Sequence, residues 1–217
     1  MMLSAYFFLF VKGALVTVAA WLMTSVISFL IGTFLGIVSC QYFGNTALMR
    51  LIRLYTFVAK GIPAYVQILI AYFILPDLLG ISVSGFVAAC AALAFCSSGY
   101  STETIRSGIN AISRGQWDAC KTLGYPLRKT LSCVILPQTF RLTVAMLFSE
   151  SESLLKSTSL LATIGVTELT RTGMNIISRE LNPLPVYLTI ACVYLFFAAL
   201  VNLALIMIER RFSYGQR

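Results

Sequence analysis

Seven ionisable side chains stand inside or at the edges of otherwise apolar stretches: Lys60, Glu103, Arg106, Arg141, Glu150, Glu152 and Lys156. A charge at the centre of a membrane-spanning helix costs on the order of 2.5–3.5 kcal/mol on insertion scales, so each must pair, reach an interface or serve a solute. They are densest in the polar run Ser149 to Ser159. Polar or broken helix at membrane depth is tolerated where it lines a cavity or packs in protein, which makes this run the candidate solute pathway. Glu150, Ser153 and Ser157 recur at helical spacing and share one face, with Thr158 next in the chain. Glu150 and Glu152, two residues apart, lie about 200° apart around a helix axis. At most one of them points into the pathway, and either can be paired with Arg141 or Lys156 instead.

Other chemistry is poorly supplied. Histidine is absent, which removes the commonest general base and the commonest metal ligand, so no metal site is expected. Ser97-Ser98-Gly99 lies inside an apolar span, but serine without a base is ordinary helix-packing composition rather than an intramembrane hydrolase. The six cysteines contain no Cys-x-x-Cys and read as small apolar fillers. No Gly-x-x-x-x-Gly-Lys-Ser/Thr phosphate loop is present, so the chain binds no nucleotide of its own by that route. A net charge of +8 raises the question of nucleic acid, yet no basic run with interleaved aromatics accompanies it.

The elements that must position these groups are membrane helices. The chain is 59% hydrophobic and 11% charged with mean hydropathy +0.87, which excludes an ordinary soluble domain. One membrane domain over residues 1–217 is expected, all-α, with five spans at about 13–38, 54–75, 78–102, 131–165 and 182–208. The first contains Gly32-x-x-x-Gly36, which permits close helix contact but also arises by chance. The second holds Lys60, either near an interface or facing the protein interior, with Gly61 and Pro63 beside it to loosen or kink the helix. Glu103 and Arg106, three apart, can pair at the end of the third. The fourth is read as interrupted by its polar run, and Arg171 to Leu181 as a polar loop.

Arginine and lysine sort these spans across the bilayer. Arg50, Arg53, Arg106, Arg114, Lys121, Arg128, Lys129, Arg210, Arg211 and Arg217 fall on one side, against Arg171 and Arg179 and the N-terminal Lys12 on the other. The bias predicts an external N-terminus and a cytoplasmic C-terminus. It also places the longest polar interruption, Arg114 to Pro137, in the cytoplasm. Ser113 and Gln116 have the form of a capping box, Gly124 stands where a helix-ending glycine would, and Pro126 blocks continuation. The expected helix, about 114–124, carries Trp117, Cys120 and Leu123 on a small apolar face. Read on composition, it is an interfacial helix.

The spacing adds a resemblance. Asp118-Ala119-Cys120, Gly124 and Val134-Ile135-Leu136-Pro137 resemble the Glu-Ala-Ala, three residues, Gly, nine residues, Ile-x-Leu-Pro signature of ATP-binding-cassette importer permeases. Lys60-Gly-Ile-Pro-Ala-Tyr-Val-Gln67 is similar to the Arg-Gly-Thr-Pro, two residues, Val-Gln run of the polar amino acid branch. Tyr100-Ser-Thr-Glu103-Thr-Ile-Arg106-Ser-Gly108-Ile109 and Leu154-Leu-Lys156-Ser157-Thr158-Ser159-Leu160 with Ile164-Gly165-Val166-x-Glu168-Leu169-Thr170 match the same branch, with Ser157 where aspartate is common. The resemblance implies an inner-membrane permease subunit of a polar amino acid importer in a bacterial cytoplasmic membrane. It further implies an ATP-hydrolysing cassette subunit that carries ATP and magnesium, an extracytoplasmic amino acid binding protein and a second permease chain, identical or related. Gln116, Trp117, Asp118, Ala119, Cys120, Leu123 and Gly124 would form the coupling helix that docks on the ATPase. Lys60, Gly61, Pro63, Gln67, Glu150, Ser153, Ser157 and Thr158 would serve the substrate pathway. The acidic pair points to a cationic amino acid such as arginine. The alternative from another class is a non-transporting membrane scaffold whose basic loops bind anionic lipid.

Overall fold

The computed structural model describes residues 2–43 and 46–213, with side chains for 6–42 and 46–211; Arg217 lies outside the described residues. α1 (Met2–Val38) leads through a 3-10 turn at Gln41–Phe43 to α2 (Thr46–Gly61). After a break come α3 (Ala64–Leu69), a π-helical turn Ile70–Ile74 and α4 (Leu75–Leu79), then α5 (Gly85–Ala111) and α6 (Arg114–Thr122). α7 (Leu127–Thr130) continues through a second π-turn, Leu131–Ile135, into α8 (Leu136–Ser157) and a 3-10 stretch, Thr158–Ile164. α9 (Leu169–Glu180) and α10 (Pro183–Ser213) follow, and no strand occurs among the described residues.

Among the described residues, four helical stretches are long and apolar enough to cross a membrane: Tyr6–Val38, Gly85–Ala111, Leu127–Ile164 and Pro183–Arg211. Thr46–Gly61 and Ala64–Leu79, bent by 98° at their junction, together make a fifth. The bend lies at Ile62-Pro63, where Pro63 supplies no N–H and fixes its own φ. Gln67 repairs the break, its Nε2 donating to the carbonyls of Ala59 at 2.8 Å and Ile62 at 2.7 Å. Both π-turns immediately precede a helix with proline in its first turn, Pro76 and Pro137, so the chain absorbs the lost donor by widening one turn.

α5 is the hub, packed by α1, α2, α3 and α8. α1 carries a buried stripe, Phe10, Gly13, Thr17, Ala20, Thr24, Ser28, Gly32 and Gly36, three or four apart and small in all but the first; Phe10, Gly13 and Thr17 meet Glu168 and α9, while Gly32 and Gly36 meet α5. Lipid gives two helices no hydrophobic reason to associate, so close backbone approach is what holds such a pair. A Cβ at Gly32 would lie 2.3 Å from Ser101 Cβ, and one at Gly36 2.8 Å from Ile105 Cβ. The Gly32-x-x-x-Gly36 pattern is therefore a crossing point. Leu22, Leu30 and Phe34 on the opposite side of α1 are exposed, as lipid-facing side chains are.

Four expectations are corrected. The second helical unit starts at Thr46 and is sharply bent, instead of running straight over 54–75. The third spans Gly85–Ala111 rather than 78–102, so Glu103 and Arg106 lie within the helix and not at its end. The fourth is continuous: Ser149 to Lys156 are α-helical, and the helix tightens to 3-10 from Thr158 before ending at Gly165, φ +83°. Its hydroxyls return hydrogen bonds to carbonyls one turn back, as Thr143 does to Thr139 and Ser157 to Ser153, so the polar run needs no break. Arg171 to Leu181 is mostly helix α9, amphipathic, with Leu169, Thr172, Gly173 and Ile176 buried.

Candidate functional site

Glu150 projects from α8 toward α5. Its Oε1 accepts from Ser97 Oγ at 2.7 Å, and Ser101 Oγ lies 3.2 Å from both carboxylate oxygens. Among the described residues it forms no ion pair, whereas Glu152, on the other side of α8, pairs with Lys156 at 2.6 Å. Glu150 lines a cavity of about 560 Å³ with Ser149, Ser153 and Ser157 of α8, Ser97, Tyr100 and Thr104 of α5, and Ala64 of α3. Site cavities for small molecules run about 300–1,000 Å³, so an amino acid fits. On its other side Glu150 closes a second, more apolar cavity of about 430 Å³ against Ser25, Phe29 and Phe140. A carboxylate held by two hydroxyls, with no cation in salt-bridge contact among the described residues, is an acceptor for a positively charged or hydrogen-bonding solute.

The other expected pathway residues distribute differently. Thr158 is fully buried, donates to the Leu155 carbonyl at 2.6 Å and does not line the cavity, because it stands about 100° around the helix from Ser157. Gln67 is buried with its Nε2 bonded across the α2–α3 break, and Pro63 shapes that break; neither lines the cavity. Lys60 and Gly61 line a separate cleft of about 630 Å³ between α2 and α5, with Arg53, Thr56, Glu103, Arg106 and Asn110. Lys60 faces the protein interior and pairs with Glu103, to which Arg106 also reaches at 3.7 Å. Its Nζ stands 5.2 Å from the centroid of Tyr100, a wall of the Glu150 cavity. The two cavities are neighbours across that contact.

α6 ends as its residues dictate. Gly124 takes φ +69°, its N–H bonds the Lys121 carbonyl and the Tyr125 N–H the Cys120 carbonyl, each at 2.9 Å, closing the turn in a Schellman motif. The capping box does not form: Ser113 caps without its side chain, and Gln116 accepts from Gln138 at 3.5 Å instead. Trp117 and Cys120 do not form an exposed apolar face, since both are buried in the chain's own core. Trp117 stacks on Tyr42 at 3.8 Å between centroids and packs with Cys40, Ile105, Ile109 and Ile135. Gln116, Asp118, Ala119, Leu123 and Gly124 remain exposed, Leu123 at 69%.

Residues 28–214 match the family described as binding-protein-dependent transport system inner membrane component. The chain belongs to this family. The permease is 30% identical over 204 residues to the putative glutamine transport system permease of Rickettsia conorii, covering 94% of this chain and 93% of that one. It is 37% identical over 148 residues to the arginine transport system permease of Bacillus subtilis, covering 67% and 68%. Its fold superposes on an amino acid ABC transporter crystallised with histidines at a TM-score of 0.85, with 28% identity over 96% of both chains. It is thus a non-enzymatic, inner-membrane transport component of the ABC permease fold.

Two groups of polar residues in this permease, one lining the cavity and one tying helices together, escaped sequence reasoning. Ser97, Ser101 and Thr104 form a polar ridge at helical spacing on an apolar span, a signal that was present but weak among so many small residues. Glu168 is the other. It is fully buried and caps α9, accepting from the N–H of Thr170 at 2.8 Å and Arg171 at 2.7 Å, and from Tyr194 Oη of α10 at 3.1 Å. Thr17 Oγ1 of α1 lies 3.4 Å from the same carboxylate and accepts the Leu169 N–H at 3.1 Å. One carboxylate thereby ties three helices, and burial pushes it above the ordinary glutamate value despite those donors.

Proposed function

We propose that this permease forms half of an amino acid pathway through the cytoplasmic membrane, in which the solute crosses at Glu150 and the substrate is a polar, positively charged amino acid. One observation carries the reading: a membrane-depth carboxylate, unpaired by any cation among the described residues, opens onto a cavity of amino acid size edged with hydroxyls. The names of the glutamine and arginine relatives support an amino acid, and Glu150 supports a cationic one. With Ser157 in the wall, Glu150 is the one acidic group among the described residues that line the cavity, so a single cation is accommodated.

The remaining parts follow from family membership and charge. A second permease chain, identical or related, completes the pathway, and an extracytoplasmic binding protein delivers the solute. The N-terminus lies outside and the C-terminus in the cytoplasm, where basic residues concentrate. α6 then faces a cassette ATPase, which holds ATP and magnesium; this chain holds no cofactor. Leu123, Gly124, Asp118 and Ala119 make the contact, while Trp117 and Cys120 root α6 in the bundle. A short helix so rooted transmits rigid-body motion of its partner into α5 and α8.

The test is ATP hydrolysis by the permease reconstituted with its ATPase and binding protein, scanned over amino acids. Hydrolysis rises with one loaded binding protein, and Glu150→Gln weakens the response to a cationic amino acid at least tenfold, because a desolvated charge pair is lost. Stimulation and preference unchanged in Glu150→Gln would remove this carboxylate from the pathway.

A further inference from the structure

We propose that the cleft of Arg53, Lys60, Glu103, Arg106 and Asn110 is a second binding subsite, which grips the carboxylate of the amino acid as it leaves the Glu150 cavity toward the cytoplasm. This rests on the reading that an amino acid crosses at Glu150. The cleft, about 630 Å³, is built by facing ridges of two helices: Arg53, Thr56 and Lys60 of α2, and Glu103, Arg106 and Asn110 of α5. Three cations meet one carboxylate there. Glu103 engages both Lys60 and Arg106, and among the described residues Arg53 has no ion pair, so the cleft keeps an excess of positive charge. Asn110 and Ser107 add neutral hydrogen-bonding groups to the wall.

An amino acid carries two opposite charges, and the two cavities offer two opposite partners. The Glu150 cavity presents a carboxylate and hydroxyls; the cleft presents guanidinium groups whose forked donors match a carboxylate. Lys60 joins them, lining the cleft while standing over Tyr100 of the cavity wall. The bias of basic residues toward the cytoplasm accounts for Arg50 in the first turns of α2 and for Arg106 near the end of α5. It does not account for Lys60 at the far end of α2, turned onto Glu103. These charges are gathered around a cavity.

The experiment uses proteoliposomes of the complete transporter with the ATPase outward and the binding protein with L-arginine inside. L-Arginine added outside fills the exit subsite and slows hydrolysis. Agmatine, which is arginine without its carboxylate, requires at least tenfold more. Arg53→Gln raises the half-inhibitory concentration of outside L-arginine about tenfold, and Arg53→Lys returns it to within about threefold, since a charge-assisted contact is removed and then restored. Equal inhibition by L-arginine and agmatine, or an unchanged value in Arg53→Gln, overturns the proposal. So does inhibition that disappears as the phosphatidylglycerol content rises, because a lipid phosphate then occupies the cleft. A readout independent of transport is the melting shift of the permease–ATPase complex with propionate, a bare carboxylate. A shift in wild type that is lost in Arg53→Gln sustains the subsite even if no amino acid stimulates hydrolysis, an outcome that refutes the transport reading alone. No shift in wild type refutes the subsite.

Discussion

Gly32→Ala adds a single methyl group where α1 crosses α5. That methyl would stand 2.3 Å from Ser101 Cβ, 3.0 Å from Ser101 C and 3.1 Å from Thr102 N. Ordinary carbon contacts lie at about 3.5–4.0 Å. The nearest atom needs more than an ångström of relief, and the next two belong to backbone, which cannot rotate aside. Overpacking costs about 1–3 kcal/mol, and the rigid neighbours put this site at the upper end. For a chain of this size each kcal/mol moves the midpoint by about 2–4 °C, so the permease complex in detergent should melt roughly 4–12 °C lower. Ser101→Gly in the same chain removes the nearest atom and leaves the two backbone contacts, so it should recover part of the loss. Gly115→Ala is the control, because a Cβ there meets nothing within 4 Å. Gly32→Ala melting within about 1 °C of wild type would show that α1 and α5 do not hold each other through this crossing. Activity should fall further than stability, since Ser101 also donates to Glu150.

Three further outcomes follow from other contacts. Glu168 has a folded pKa raised above the ordinary 4.5 by burial, so its stabilising contribution is full below about pH 4.5 and is lost as pH rises through the folded value. The melting temperature of wild type minus that of Glu168→Gln should therefore grow as pH falls from neutral toward 5, and a flat difference would count against the burial argument. Trp117→Ala removes a buried ring stacked on Tyr42 and should cost about 3–5 kcal/mol in the melt of the permease itself, whereas Leu123→Asp should leave the melt unchanged and abolish co-purification with the ATPase. The reverse pattern would mean that Trp117 serves the partner. Gln67→Leu strands the carbonyls of Ala59 and Ile62 at the α2 bend and should cost about 2 kcal/mol, read by melting; a neutral effect would mean that water replaces the amide there.

What the sequence made legible was local. Its hydropathy implied an all-helical membrane protein, its Gly124-x-Pro126 pair the end of α6, and its Glu150-Ser153-Ser157 spacing one wall of a cavity, because each is decided by residues within two turns of one another. What stayed hidden was which helix each wall faces. Lys60 reads as a lysine that snorkels or turns inward until Glu103, 43 residues away, is seen beside it. Trp117 and Cys120 form an apolar face, and nothing in their spacing says whether that face meets a partner or the chain's own Tyr42 and Cys40. Glu168 sits in a motif run, yet its use depends on Thr17 and Tyr194, which lie 151 and 26 residues off. The polar run of α8 was mistaken for a break for the same reason. A run of serines and glutamates in a span is costly alone, and the cost vanishes only when Ser97 and Ser101 of α5 receive Glu150 and when the hydroxyls fold back on their own helix. Among the described residues, Lys60, Glu150, Glu152 and Glu168 thus each find a partner on another element or a turn away. A membrane helix that looks broken in sequence is therefore first to be tested for a partner ridge at matching spacing, here Ser97, Ser101 and Thr104, before irregular backbone is invoked.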